Sequence, residues 1–276
     1  MKIAAVQMVS ATDTERNLEA ADRLIAQAAG AGAELVALPE YFCLMGRRDG
    51  DKLAIAEADS PDGAAAGPIQ RFLADTARRH GLWLVGGTIP MAVPGREDRV
   101  RNTCLVHGPD GRRVARYDKI HLFAFDNGRE RYDEGRVLEA GSAPVSFAAG
   151  AHRVGLSVCY DVRFPELYRA LACTPGAGPC DLMCVPSAFT WTTGQAHWEL
   201  LLRARAVENQ CYVLAPAQGG LHENGRRTWG RSLVVDPWGE VQACLDEGEG
   251  VVLAELEPAR LAAVRQQLPA LAHRRL

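Results

Sequence analysis

The sequence predicts a layered α/β domain with a mixed sheet or sheets. Two observations carry this: helix-like and strand-like stretches alternate along much of the chain, and strand-like pairs joined by tight turns interrupt the alternation. Lys2 to Met8 reads as a buried strand. Thr12, with Glu15 three residues on, forms a capping-box signature for the helix that follows, and Leu18, Ala21, Leu24, Ile25 and Ala28 give that helix one apolar face. Gly30 and Gly32 end it. Glu34 to Leu38, closed by Pro39, is a second short strand.

The alternation then repeats. Pro68 opens a helix with Ile69, Phe72, Leu73, Thr76 and Ala77 on one side, Gly81 stops it, and Leu82 to Ile89 reads as strand. Around Pro109, Asp110 and Gly111 a hairpin joins Thr103–His107 to Arg113–Tyr117. A third unit runs from strand Val154–Val158 through a helix over Pro165–Ala172 to strand Leu182–Pro186. Ala196–Gln210 is a helix, Cys211–Ala215 a strand, and a second hairpin pairs Ser232–Val235 with Glu240–Cys244 across Asp236, Pro237, Trp238 and Gly239. No linker or internal repeat divides the chain, which reads as one domain over residues 1–276. The number of layers does not follow from this pattern.

Composition narrows the partners. A chain of 276 residues that is 47% hydrophobic buries a sizeable core. The net charge of -3, from 31 basic and 34 acidic residues with no block of one sign, argues against nucleic acid or a membrane surface. The apolar start, Met1 to Val9, is far too short to span a bilayer, and Asp13 and Glu15 follow it closely, so a cytoplasmic location is expected. The eight cysteines are then expected to be reduced, most of them as small buried hydrophobes.

Three residues carry candidate chemistry. Cys159 ends the strand-like run Val154–Val158 and precedes Tyr160 to Glu166, where a helix can begin; unpaired N–H groups and the helix dipole at such an elbow favour thiolate. Taken alone, that context equally suits a buried structural cysteine. Glu40 stands at the carboxyl end of the apolar run Leu35–Pro39, where ligands gather in α/β sheets. Lys119 precedes another apolar stretch; alone, it reads as a surface charge. Together they supply what amide hydrolysis needs. Glu40 takes the thiol proton and returns it to the departing ammonia or amine, while Lys119 and the Tyr160 N–H stabilise the oxyanion.

Leu38-Pro39-Glu40, Lys119 to Phe123 and Cys159 to Glu166 resemble the three signature segments of the nitrilase, or carbon-nitrogen hydrolase, superfamily, in the family's order and approximate spacing. The likeness extends to Pro186-Ser187-Ala188-Phe189, Ala196-His197-Trp198-Glu199, Arg203 to Ala206 and Val235 to Gly239. It implies a four-layer αββα sandwich, a thioester intermediate, no metal or organic cofactor, and a homodimer toward which the tail His273 to Leu276 reaches. It also implies a second catalytic glutamate, matched by Glu134 with Leu138 and Gly141 behind it, although Gly135 replaces the usual serine. Within the superfamily the chain resembles the branch of deaminated glutathione amidases and omega-amidases. Pro186 to Phe189 and Gln218 to Ser232 look more like the former, and Arg231 departs from the histidine common there. Arg163, Ser187 and Phe189 are the substrate-binding candidates, with the pair Arg226-Arg227 as a further source of positive charge for a substrate carboxylate.

Several rival readings are weaker. Gly155 to Cys159 lacks the last glycine of a serine-hydrolase elbow, and Ser157 lies inside the strand. A zinc site from Cys173, Cys180 and Cys184 is conceivable, but there is no Cys-x-x-Cys pair and no His-Glu-x-x-His, and Asp181 to Met183 reads as strand. Asp161 and Arg163 are expected to pair with each other or with Glu166 and set a turn, and His121 and His197 read equally as structural histidines. The remaining alternatives are an N-carbamoyl or other aliphatic amidase, or a catalytically inactive binding member of the same fold, which the intact Glu40, Lys119 and Cys159 argue against.

Overall fold

Two mixed sheets, stacked face to face, contain the strands that the sequence marks. The structure is a computed structural model that describes residues 1–63 and 65–275. In chain order its first half contains β1 (Lys2–Gln7), α1 (Thr14–Gly30), β2 (Leu35–Ala37), the single turn α2 (Asp51–Ala54), α3 (Pro68–His80), β3 (Trp83–Val85), β4 (Ile89–Val93), β5 (Arg96–His107), β6 (Arg113–Asp118), and the small hairpin β7 (Ala124–Asp126) and β8 (Arg131–Asp133). The second half contains β9 (Val145–Ala149), β10 (His152–Leu156), α4 (Pro165–Ala172), β11 (Leu182–Cys184), α5 (Trp191–Asn209), β12 (Tyr212–Ala215), the hairpin β13 (Gly219–Leu221) and β14 (Arg227–Trp229), β15 (Ser232–Val235), β16 (Val241–Leu245), β17 (Gly250–Glu255) and α6 (Pro258–Gln267).

The first sheet has the order β17-β1-β2-β3-β5-β4 with β6 beside β5, and the second β16-β15-β12-β11-β10-β9. Each has a parallel centre, β1-β2-β3 and β10-β11-β12, flanked by antiparallel strands. Parallel strands buried on both faces need apolar residues at every position. In β1, Ile3 and Ala5 pack toward the second sheet, while Ala4 and Val6 pack toward α1 and α3. Leu24 and Ile25 of α1 and Ile69 and Leu73 of α3 complete that outer core, each contributing about 1.5–3 kcal/mol by burial. On the far side Trp198, Leu202 and Ala206 of α5 and Leu167, Tyr168 and Leu171 of α4 cover the second sheet. The four-layer αββα sandwich implied by the family resemblance is thus the observed α/β architecture.

Boundaries moved where local rules compete. Asp13, not Thr12, caps α1 by accepting from the Arg16 N–H at 2.9 Å, because the Thr12 hydroxyl and N–H are both held by Glu223. The strand expected over Leu82–Ile89 stops at Val85, and Ile89 begins a separate strand. The α5 helix begins five residues before Ala196, at a Thr190 cap. Among the described residues no helix is long and apolar enough to cross a membrane. Leu276, the end of the tail expected to reach a partner, lies outside the described residues.

Candidate functional site

Loops at the carboxyl ends of β2, β6, β10 and β11 meet where the two sheets abut, and each delivers one part of the site. Glu40 follows β2, Lys119 follows β6, Cys159 follows β10, and Ala188 with Phe189 follows β11. Two glycines permit the convergence. A Cβ at Gly87 would collide with the Pro39 carbonyl beneath Glu40, and one at Gly141 would collide with the Asp118 carbonyl beside Lys119.

Lys119 is buried between two carboxylates. Its Nζ donates to Glu40 Oε1 at 2.9 Å and to Glu134 Oε2 and Oε1 at 2.8 and 3.1 Å. Burial alone would push the ammonium down, but Glu134 and then Glu40 outweigh it and hold Lys119 above its ordinary value. Burial likewise works to raise Glu134, yet Lys119, the Phe123 N–H at 2.7 Å and the Tyr41 hydroxyl at 2.6 Å keep it below the usual carboxylate range. Glu40 is fixed by three donors: Asn102 Nδ2 and Lys119 on Oε1, and the Ala188 N–H at 3.0 Å on Oε2. Glu134 is therefore held ionised at neutral pH, and the Lys119 ammonium donates to both carboxylates.

The thiol's surroundings differ from the expectation. A short 3₁₀ turn, Cys159–Arg163, intervenes before α4, so no long helix points its positive end at the sulfur. Burial pushes the Cys159 thiol well up and the Glu40 carboxylate adds to it, while Lys119 and the Ala188 N–H oppose. The balance favours the protonated thiol. A thiol reacting from this state needs its proton removed, and Glu40 is a carboxylate of the same cleft. Cys159 holds φ at 48°, a left-handed conformation costing a β-carbon residue about 1–2 kcal/mol, which its N–H to Pro186 carbonyl bond at 2.9 Å helps to lock. Tyr41, next to Glu40, has φ 57°. The backbone is strained on both sides of the site.

The cleft is lined by Glu40, Glu134, Cys159, Tyr160, Arg163 and Phe189, together with Phe123, Ala188, Thr190, Thr193 and Arg226. The Tyr160 N–H lies in the first turn of the 3₁₀ segment, where donors have no intrahelical partner. Arg163 rests over Phe189 and Tyr160 at 5.3 and 5.7 Å and faces His197 Nδ1 at 3.2 Å. Ser187 is a correction: it is fully buried, its hydroxyl donates to the Val185 carbonyl at 2.9 Å, and it does not line the cleft. Only one of the arginine pair faces the site, because Arg227 lies over Trp191 and beside Glu247. Asp161 does not pair with Arg163 or Glu166. It accepts from Tyr117 Oη at 2.7 Å, the Val158 N–H at 2.8 Å and the His121 N–H at 3.0 Å, and so sets the turn that carries Cys159. Ser157 Oγ is held by Tyr168 Oη and the Cys184 carbonyl, far from a nucleophile's exposure. Tyr41, Asn102 and the Ala188 N–H were missed by sequence reasoning, since no spacing marks residues whose roles arise when distant loops meet.

A thiol in one cleft with carboxylates that can carry its proton is the equipment of covalent hydrolases, and this α/β fold and site fit that class. The chain belongs to the carbon-nitrogen hydrolase family, whose model matches residues 2–266. It is 42% identical to a deaminated glutathione amidase of Synechocystis sp., over 98% of this chain and 97% of that one. It is 37% identical to the omega-amidase of Homo sapiens, over 99% and 95%. The structure of Nit3 from Saccharomyces cerevisiae, a member of branch 10 of the nitrilase superfamily, matches with a TM-score of 0.88 at 32% identity, covering 100% of this chain and 97% of that one.

Proposed function

We propose that this chain hydrolyses the C–N bond of a small carboxylate-bearing amide through a thioester on Cys159. The observation that carries the reading is the buried Lys119 ammonium, joined to Glu40 and Glu134 in a cleft that also holds the Cys159 thiol. Glu40 takes the thiol proton as sulfur adds to the amide carbonyl. The oxyanion that forms is stabilised by Lys119 and the Tyr160 N–H, each donor worth about 10²–10³ in rate. All three Lys119 hydrogens already face carboxylate oxygens, so the oxyanion displaces one of the two Glu134 contacts. Collapse breaks the C–N bond, and Glu40 passes its proton to the leaving ammonia or amine. Water, deprotonated by the regenerated Glu40 carboxylate, then cleaves the thioester. Glu134 keeps Lys119 charged and placed throughout.

For the substrate, a deaminated glutathione-type amide ranks above an omega-amidase type. Two cleft arginines, Arg163 and Arg226, have no carboxylate within ion-pair distance among the described residues, which suits a substrate with more than one carboxylate. Comparison of kcat/KM for deaminated glutathione, 2-oxoglutaramate, N-carbamoyl amino acids and simple aliphatic amides tests this. The highest value is expected for deaminated glutathione; turnover no better than that of a neutral aliphatic amide overturns the substrate while leaving the cysteine amidase intact.

We also propose a homodimer. Leu200 and Val207, two turns apart on α5, are 67% and 46% exposed, and Trp238 in the turn packed beside Val207 is 48% exposed, an apolar patch suited to a second copy. A cytoplasmic site of action fits the eight free thiols, and cell fractionation checks it.

A further inference from the structure

Beside the Cys159 cleft lies a second cavity of about 370 Å³ whose lining includes Tyr41, Arg48, Lys52, Tyr132 and Arg226. Arg226 lines both spaces, and Tyr41 of the second donates to Glu134 of the first. The lining of this annexe carries five cations, Arg47, Arg48, Lys52, Arg131 and Arg226, against one carboxylate, Asp49.

Among the described residues most arginines have an acidic partner; Arg226, at the annexe floor, does not. The Arg226 guanidinium lies 5.1 Å over the Tyr132 ring and donates to the Ala188 carbonyl at 3.3 Å, but its Nε is buried with no hydrogen-bond partner among the described residues. Lys52 Nζ sits 4.6 Å over the Tyr41 ring. Burial pushes its ammonium down, and Glu134 and Asp49 offset only part of this. Among the described residues no carboxylate lies within ion-pair distance of Arg47, Arg48, Lys52 or Arg226. A buried, unpartnered guanidinium N–H with uncompensated cations around it is the complement of an incoming carboxylate.

The geometry points to the annexe as the subsite for the leaving-group end of an elongated amide, binding a carboxylate several bonds beyond the scissile nitrogen, with Arg226 as its inner contact and Arg48 as its outer one. This rests on the carboxylate-bearing amide reading and extends it. The acyl part has to stay in the cleft through the thioester stage, where Arg163 lies. The amine has to depart, and Arg47 and Arg48 at the annexe rim are exposed to solvent. An amide of this shape carries one carboxylate on each side of the bond that breaks, and each meets its own arginine.

Binding to the Cys159→Ala protein tests the subsite without turnover. Deaminated glutathione and its analogue with a carboxamide in place of the carboxyl-terminal carboxylate are titrated calorimetrically. The carboxylate is expected to bind at least about tenfold tighter. Adding Arg226→Gln should collapse that ratio toward one, and Arg48→Gln, at an exposed unpaired residue that leaves folding unaffected, should lower it by a smaller, salt-sensitive factor. Equal affinities, no binding of either ligand, or a ratio that survives both variants overturns the subsite. Turnover by the wild-type chain reports separately on the substrate: discrimination without hydrolysis of deaminated glutathione leaves the subsite and removes that substrate, and hydrolysis without discrimination does the reverse.

Discussion

At Cys159 the structure reverses one sequence-based expectation and sharpens the chemistry. An elbow thiol was expected to ionise easily; burial and the Glu40 carboxylate hold its proton on instead. Removing the Glu40 charge should therefore have two opposite effects. In Glu40→Gln, kcat/KM is expected to fall by about 10²–10⁴, as for loss of a general base. The thiol itself should titrate at lower pH, because Lys119 then acts on it with less opposition. Rates of iodoacetamide alkylation of Cys159 against pH measure this, and a midpoint unchanged or raised in the variant contradicts the electrostatic reading. Glu40, Lys119 and Cys159 were legible because each belongs to a short signature segment. Asn102, which donates to Glu40 at 2.9 Å, was not, since nothing near residue 102 signals that β5, two strands from β2 in the sheet, reaches the residue in the loop after β2. Ser187 was misread for the converse reason: its segment borders the cleft through the Ala188 N–H, while its own side chain turns inward.

Between elements, the link that positions the nucleophile is a buried hydrogen bond from Tyr117 in β6 to Asp161 in the 3₁₀ turn after β10, bridging the two sheets at 2.7 Å. Tyr117→Phe leaves one buried carboxylate oxygen short of a donor and is expected to cost about 1–3 kcal/mol. Urea unfolding reads it as a lower midpoint at unchanged slope; a shift under about 0.5 kcal/mol contradicts the bridge. Helices with a single apolar face, α1 and α3, were readable to within a residue or two. The β7–β8 hairpin and β17 were not. β17 pairs with β1 across nearly the whole chain, Lys2 opposite Glu255, and its half-exposed residues show no clean alternation. The cap of α1 turned on a residue more than 200 positions away, Glu223, which no local rule includes.

For the whole molecule, the sequence pattern alone yields an α/β domain but not its layers, because face-to-face packing of two sheets leaves no periodicity distinct from that of one sheet covered by helices. The layer count came from resemblance and is seen in the way β1 divides its side chains between two cores. The same architecture leaves Leu200 and Val207 of α5 exposed. Light scattering at micromolar concentration is expected to give twice the chain mass, and Leu200→Glu with Val207→Glu to return it to one; a wild-type monomer contradicts the dimer. The central claim is covalent catalysis at Cys159, and rapid quenching of the wild-type chain with its amide substrate, followed by intact-mass and peptide analysis, tests it most directly. An acyl adduct on Cys159 should form and decay at the rate of turnover and accumulate when Glu40 is replaced by Gln. Full amidase activity in Cys159→Ala, with no adduct at that residue in the wild type, contradicts it.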